Sequence, residues 1–374
     1  MKFRLPPLDW PLAFATLGLI GIGLATVYSA TSVPGAHQGL WAKQFLWFVV
    51  ALGFAWIIAA VHYRFYDSFS WPLYAASLVA LVAVFAIGVE RLGAKRWIEL
   101  GPLQFQPSEI AKLATTFVLV AKEPDLGTAS SFPAMLVAMY FWAGMPASQL
   151  VLGLSPILNV MLFFLTGSVW WFAGLFVGLL AWARPRVVVL VAMLALNGAV
   201  AVALPKLWNH LHDYQKRRIE TFLNPEQDPS GSGYQVIQSK IAIGSGGVTG
   251  KGYLKGSQKA LAYLPMRHTD FIYSVVGEEL GLLGSLTVVL LYGIVVFRGY
   301  RLASIARDGF ASLMAVGITT ALFFHIMVNM LMTIGWAPVT GVPLPFLSYG
   351  GTALIVNCIQ IGLLQNVALR RREY

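Results

Sequence analysis

Arg267, His268, Thr269 and Asp270 form a short polar run directly before a long apolar stretch that begins at Phe271. An ionised carboxylate beside hydrocarbon is costly to hold and usually functional. Here it closes a polar loop, 205–270, where the membrane begins. That placement suits a substrate with a polar head and a lipid tail. A carboxylate is a proton acceptor for group transfer, weak at its ordinary pKa of about 3.9 unless its surroundings raise it. The structural alternative is a helix cap, with Thr269 or Asp270 accepting the first amide protons of a helix beginning at Phe271. The two roles are compatible.

Other groups fit the same chemistry. Glu278 and Glu279 follow in the first turns of the helix, as an interfacial pair, as a buried bond to another span, or as carboxylates for a divalent cation. Lys112 lies among apolar neighbours in SEIAKLATTF, with Glu109 three residues earlier on one helix face. A lysine held there against the membrane suits a diphosphate. Lys251 lies in the glycine-rich run GSGGVTGKG, 244–252, whose backbone amides are candidates to wrap a phosphate. The run lacks the spacing of a Walker loop. PVTGVPLPFLSYGGT, 338–352, is a second irregular element, of the kind tolerated at membrane depth where it lines a cavity. His325, Asn329, Asn357, Gln360 and Gln365 read as interhelical hydrogen-bond partners.

The elements that must position these groups are membrane helices. The chain has 374 residues, 57% apolar and 11% charged, where soluble proteins carry roughly 25% charge. Its fold class is all-α and polytopic. Apolar runs at 10–30, 41–61, 69–89, 128–146, 149–166, 167–183, 187–204, 271–297, 310–333 and 350–369 give about ten transmembrane helices. The first run follows Lys2 and Arg4 but is too long for a signal peptide, so it reads as an uncleaved helix. Arg64, Arg184, Arg186, Arg298, Arg301, Arg307 and Arg370–Arg372 share one face with the N-terminus, which puts both termini in the cytoplasm. The loops 90–107 and 205–270 then lie outside. The segment 108–122, about 22 Å long as a helix, is too short to cross and reads as re-entrant or interfacial. Within the long loop, 208–222 and YQVIQSKIAI are amphipathic, separated by turn-forming NPEQDPSGSG. The net charge of +10 is anchoring charge in loops, with no soluble basic domain to bind nucleic acid. The single Cys358 excludes a disulfide framework and a thiolate metal cluster. There is no internal repeat.

RWIELGPLQFQPSEIAK at 96–112, EPDLGTA at 123–129, the block 212–284 containing LPMRHTDFIYSVVGEELGLLG, and PLPFLSYGGTALI at 343–355 resemble the SEDS family (shape, elongation, division and sporulation). The likeness covers the whole chain, 1–374, as one membrane domain with its extracytoplasmic loop at about 205–270. GKGYLKGSQ points to the elongation branch rather than the division branch. The resemblance implies a peptidoglycan glycosyltransferase that joins lipid II units outside the cytoplasmic membrane and releases undecaprenyl diphosphate. It implies a class B penicillin-binding protein of the penicillin-binding protein 2 type as partner, within the elongation machinery. The family's essential aspartate falls on Asp270, and its PSEIAK motif makes Glu109 and Lys112 matter. Arg96, Lys251, Arg267 and His268 complete the candidate substrate-binding set, with Mg²⁺ or Mn²⁺ as an optional cofactor. The chain departs from the family pattern in having ten residues between the PSEIAK and EPDLGTA motifs, a longer stretch from 130 to 204, and Met266 where Glu is common. A lipid II flippase would distribute ionisable residues through the midplane, whereas polar groups here gather at one face. A scaffold for the transpeptidase would explain the spans but not the Asp, Lys and Gly of the outer loop.

Overall fold

The apolar runs fold as helices because a chain in hydrocarbon must satisfy every backbone amide within itself. The computed structural model describes residues 8–32, 39–66, 89–91, 94–100, 103–105, 131–166, 170–185, 187–210, 232–257 and 267–370. Its helices are α1 (Trp10–Thr31), α2 (Leu40–Ala60), α3 (Ser131–Trp142), α4 (Ala147–Gly153), α5 (Ser155–Thr166), α6 (Trp170–Ala183), α7 (Val187–His210), α8 (Ser232–Ser245), α9 (Ile272–Ser304), α10 (Gly309–Thr333) and α11 (Gly351–Arg370). Among the described residues, α1, α2, α9, α10 and α11 are long and apolar enough to cross a membrane. The expected span 69–89, apart from Val89, and the segment 108–122 lie outside the described residues.

The helical architecture carries one small addition. Three strands, β1 (Val89–Arg91), β2 (Ala94–Leu100) and β3 (Leu103–Phe105), pair antiparallel in the order β1-β2-β3. Glu90 stands opposite Lys95, and Ile98 opposite Phe105. They fall in the stretch 90–107 expected as an outer loop. The β-favouring run Trp97-Ile98 and the turn-formers Gly93, Gly101 and Pro102 are the signal for the sheet.

Contacts divide the chain into two units, 1–136 with 221–374, and 137–220. In the smaller unit, the single span expected over 149–166 is two helices, α4 and α5, that meet at Leu154. Pro156 has no amide proton to continue a helix and suits the first turn of a new one. Leu152, Phe172 and Phe176 form its apolar core. Asn197 donates to Ser155 Oγ at 2.8 Å, and Asn159 donates to the Asn197 carbonyl at 3.2 Å, tying α5 to α7.

The larger unit carries the five long helices. There α2 packs on α11, α1 on α9, and α9 on α10. The buried face of α10 includes Ala315, Ile318, Leu322 and Ile326, while α2 exposes Phe45, Leu46, Val49 and Trp56, as a lipid-facing helix does. The expected helix 271–297 runs on to Ser304 but is broken at Gly281, whose φ of 65° and ψ of −159° are not helical. Only glycine adopts that conformation readily. The apolar crossing is therefore 282–304, and residues 272–280 form a separate short arm.

Candidate functional site

Asp270 stands two residues before this arm. The N-cap of α9 is Phe271, which makes no side-chain cap bond, so the helix begins at Ile272, one residue later than expected. What fixes the strap 267–270 is its backbone. The carbonyl of His268 accepts from Tyr349 N at 2.8 Å, that of Thr269 from Ser348 Oγ at 2.7 Å, and that of Asp270 from Asn329 Nδ2 at 2.9 Å. Asn329 Nδ2 also reaches the Val342 carbonyl at 2.7 Å, and Leu344 N donates to Ser348 Oγ at 2.8 Å. Gln44 of α2 closes the frame, donating to the Ser348 carbonyl at 3.2 Å and accepting from Gly350 N at 3.1 Å. The irregular segment 338–350 is thus bonded backbone rather than loose loop, as membrane depth requires.

The side chains of the strap are half-buried. Arg267 Nε donates to the Ala30 carbonyl at the end of α1, at 2.9 Å. Burial pulls its guanidinium below the ordinary arginine value. The His268 ring lies edge-on to Tyr349 with centroids 6.0 Å apart. Asp270 Oδ2 faces Gly341, 3.5 Å from where a side chain there would begin. A carboxylate, an imidazole and a guanidinium therefore share one short strap whose backbone is bonded at three successive carbonyls.

The two glutamates take different roles. Glu279 accepts from Ser29 Oγ of α1 at 2.7 and 2.8 Å, which is the bond to another span that the sequence allowed. Glu278 is buried, and its Oε1 accepts from Lys251 Nζ at 2.7 Å and from Ser257 N and Oγ at 2.7 and 3.0 Å. The glycine-rich segment does not hold its amides open for a phosphate. Gly250 N bonds the Gly246 carbonyl, while Lys251 N and Gly252 N bond the carbonyls of Glu278 and Glu279. Gly250 has φ +80°, and a side chain there would begin 2.1 Å from the Glu279 carbonyl oxygen. Close approach to the arm, not anion binding, requires its glycine.

Of the other candidates, Arg96 lies in β2, and its side chain falls outside the described residues, as do Glu109 and Lys112 entirely. Among the described residues no three His, Cys, Asp or Glu side chains converge as a metal cage. Sequence reasoning missed Gln44, Ser348, Ser29 and Ser257. Ser29, Gln44 and Ser348 are polar residues in apolar helices or turns, and Ser257 lies in a polar run, so none of them carries a distinctive signal. Asn329 was read as a hydrogen-bond partner between helices and instead holds backbone.

The profile of the FtsW, RodA and SpoVE cell-cycle proteins matches residues 9–373. A peptidoglycan glycosyltransferase of Escherichia coli K12, MrdB, is 37% identical over 369 residues, covering 98% of this chain and 94% of that protein. A probable peptidoglycan glycosyltransferase FtsW of Trichlorobacter lovleyi is 36% identical over 389 residues, with coverage of 98% and 94%. Among solved structures, a chain of a peptidoglycan synthase complex that coordinates polymerization and crosslinking superposes with a TM-score of 0.66 at 31% identity, covering 98% of this chain and 99% of that one. The rod shape determining protein RodA of Thermus thermophilus superposes at 0.57 with 26% identity over the full length of both chains.

Proposed function

Since the chain belongs to the FtsW/RodA/SpoVE (SEDS) family, we propose that it works as a peptidoglycan glycosyltransferase with Asp270 as its general base. Membership and the multi-pass helical body make it a bacterial membrane enzyme. The observation that carries the site reading is the strap. Three successive carbonyls, 268 to 270, are each bonded, so the backbone of the one acidic residue in the polar run is held still. Holding a proton acceptor in place is what general-base catalysis asks of a fold.

The reaction joins two lipid II molecules. The Asp270 carboxylate takes the proton of the acceptor sugar's 4-hydroxyl. That oxygen bonds to the anomeric carbon of the donor as the bond to the lipid diphosphate breaks, and the electron pair leaves with undecaprenyl diphosphate. Donor linkage is α and product linkage β, so one base on one face suffices. The leaving group carries its own negative charge and calls for cations rather than a general acid. Arg267 and His268 stand on the same strap for that role, with Lys112 and Arg96 as further candidates and Glu109 pairing Lys112. A Mg²⁺ or Mn²⁺ ion finds no protein cage among the described residues. Such an ion would depend on the substrate's phosphates, as Mg²⁺ commonly does, and no step here passes through it.

Both termini lie in the cytoplasm in this reading, so the Asp270 end faces outward. A class B penicillin-binding protein is the partner, supported by the likeness to a synthase complex that couples polymerization to crosslinking. The deciding experiment is polymerisation of purified lipid II by the purified protein, alone and with that partner. Wild type forms glycan strands and Asp270→Ala does not. Equal strands from both would remove Asp270 as the base. No strands from a folded wild type under any condition would favour the flippase or scaffold.

A further inference from the structure

Asp270 is held at the near end of the 272–280 arm by the strap. The far end of that arm needs its own support, because Gly281 uncouples it from the crossing that follows. The arm spans nine residues, a lever of about 13 Å at 1.5 Å per residue. The glycine-rich segment splints the break on both sides. Before it, Lys251 N and Gly252 N donate to the carbonyls of Glu278 and Glu279, each at 3.0 Å. After it, Leu282 N and Leu283 N donate to the carbonyls of Gly247 and Val248, at 2.9 and 3.1 Å. Across this backbone splint lies an ion pair, Lys251 with Glu278.

We infer that Lys251 and Glu278 are positioning residues for the transfer reaction, a latch that sets the orientation of the arm carrying Asp270; this rests on the reading of Asp270 as the base. Glu278 is 1% exposed and Lys251 27%. A carboxylate so deeply buried demands a partner, and removing one member of such a pair leaves the other uncompensated. The ammonium also donates to Ser257 Oγ at 2.7 Å, and Ser257 N and Oγ both donate to the same carboxylate oxygen. Three donors on one oxygen fix the glutamate side chain in one place. Because Lys251 is neutralised at 2.7 Å, it adds little net positive charge to a diphosphate. Its contribution is geometry. Displacing reacting groups by about 1 Å costs on the order of 10²-fold in rate, so a slack arm lowers turnover without removing any group that touches substrate.

The test compares Lys251→Met, Glu278→Gln and the double variant in lipid II polymerisation, with and without a class B partner. The latch predicts that each single change lowers kcat by about 10- to 100-fold and leaves KM in place. It also predicts that the double variant is no worse than either single one. A diphosphate-binding Lys251 predicts a raised KM for Lys251→Met, no such rise for Glu278→Gln, and multiplying effects, and that pattern overturns the latch. A second construction replaces the charge by a covalent link: Lys251→Cys with Glu278→Cys, in a Cys358→Ala background that removes the buried thiol. Oxidation to the disulfide restores kcat and reduction lowers it, although no cation stands at 251. Equal rates in the oxidised and reduced forms overturn the proposal. Asp270→Asn is assayed beside them. If it keeps the wild-type rate, the site reading fails; if it is inactive while the latch variants keep wild-type kcat, the latch alone fails.

Discussion

The two ends of the five long helices are built in opposite ways. At the end that gathers the start of α1 and the ends of α2, α9 and α11, charged side chains are themselves the structure. Asp9 is buried, caps α1 through Leu12 N at 3.1 Å, pairs with Arg298 Nε at 2.9 Å, and exchanges backbone bonds with Gln365. Asn366 and Arg370 close the last carbonyls of α2. At the Asp270 end the backbone is bonded, and Arg267, His268 and Asp270 keep half-buried side chains. One end uses charge to clamp helices together. At the other, neutral Asn, Gln and Ser hold the backbone of the strap itself, and the buried Lys251–Glu278 pair stands apart from it at the far end of the arm. The clamp should therefore govern stability and the strap should govern activity.

The largest test of that division is Asp270→Ala. Loss of a general base costs about 10²- to 10⁴-fold in rate, and thermal unfolding in detergent should shift far less than for a clamp variant because the backbone of the strap is held through carbonyls. A large drop in melting temperature would make Asp270 a clamp residue and erase the contrast. The opposite experiment is Asp9→Ala, which leaves Arg298 without its buried counter-ion. It should cost about 3–5 kcal/mol of stability, read as a lower melting temperature, with turnover per folded molecule intact. A kcat loss at full stability would show that the clamp reaches the chemistry.

All five long helices were legible in the sequence, because length and hydropathy are properties of a run. Of the clamp, Arg298 and Arg370 were legible as cytoplasmic-face charge and Gln365 as an interhelical partner, but the buried Asp9 that joins Arg298 to Gln365 was not. Trp10–Thr31 and Gly309–Thr333 fall within a residue or so of the expected bounds. The break at Gly281 was not legible. A glycine inside an apolar helix is common, and only the approach of 247–252 shows that this one turns the chain. For the same reason the glycine-rich segment read as a phosphate cradle: glycine marks close approach of backbone without saying to what. Asp270 stood out by its type and place, but its supports did not. Asn329 is 59 residues away in sequence and Ser348 bonds Thr269 across 79, and hydropathy carries no record of such pairings.

Asn329→Leu sharpens the comparison by attacking the strap without touching a charge. It removes the donor to the carbonyls of Asp270 and Val342 inside the bundle. The stability cost is about 1–3 kcal/mol for orphaned buried acceptors. The rate cost should be disproportionate, about 10- to 100-fold in kcat, since the strap carries the base. A loss of stability with no change in kcat would separate the carbonyl bonds from catalysis and leave them ordinary packing.

The smallest effect belongs to the clamp. Tyr63 donates to Asp308 Oδ2 at 2.6 Å, and Asp308 in turn caps α10 through Ala311 N at 2.8 Å. Burial first, and then the neighbouring carboxylate, raise the Tyr63 phenol above its ordinary value of 10.0. Tyr63→Phe keeps the ring and the cap and removes one hydrogen bond to a charged group, so it should cost about 1.5–3 kcal/mol of stability and nothing in kcat. The sign of its pH dependence is fixed. A phenol whose pKa is raised on folding adds stability below 10.0 and loses it as pH climbs through the folded value, where an anion would face Asp308. The melting-temperature gap between wild type and Tyr63→Phe should therefore hold steady up to about that pH and narrow above it. A gap that stayed constant into strong alkali would mean that the ring's packing, not its hydroxyl, makes the contribution, and this corner of the clamp would then depend on shape rather than charge.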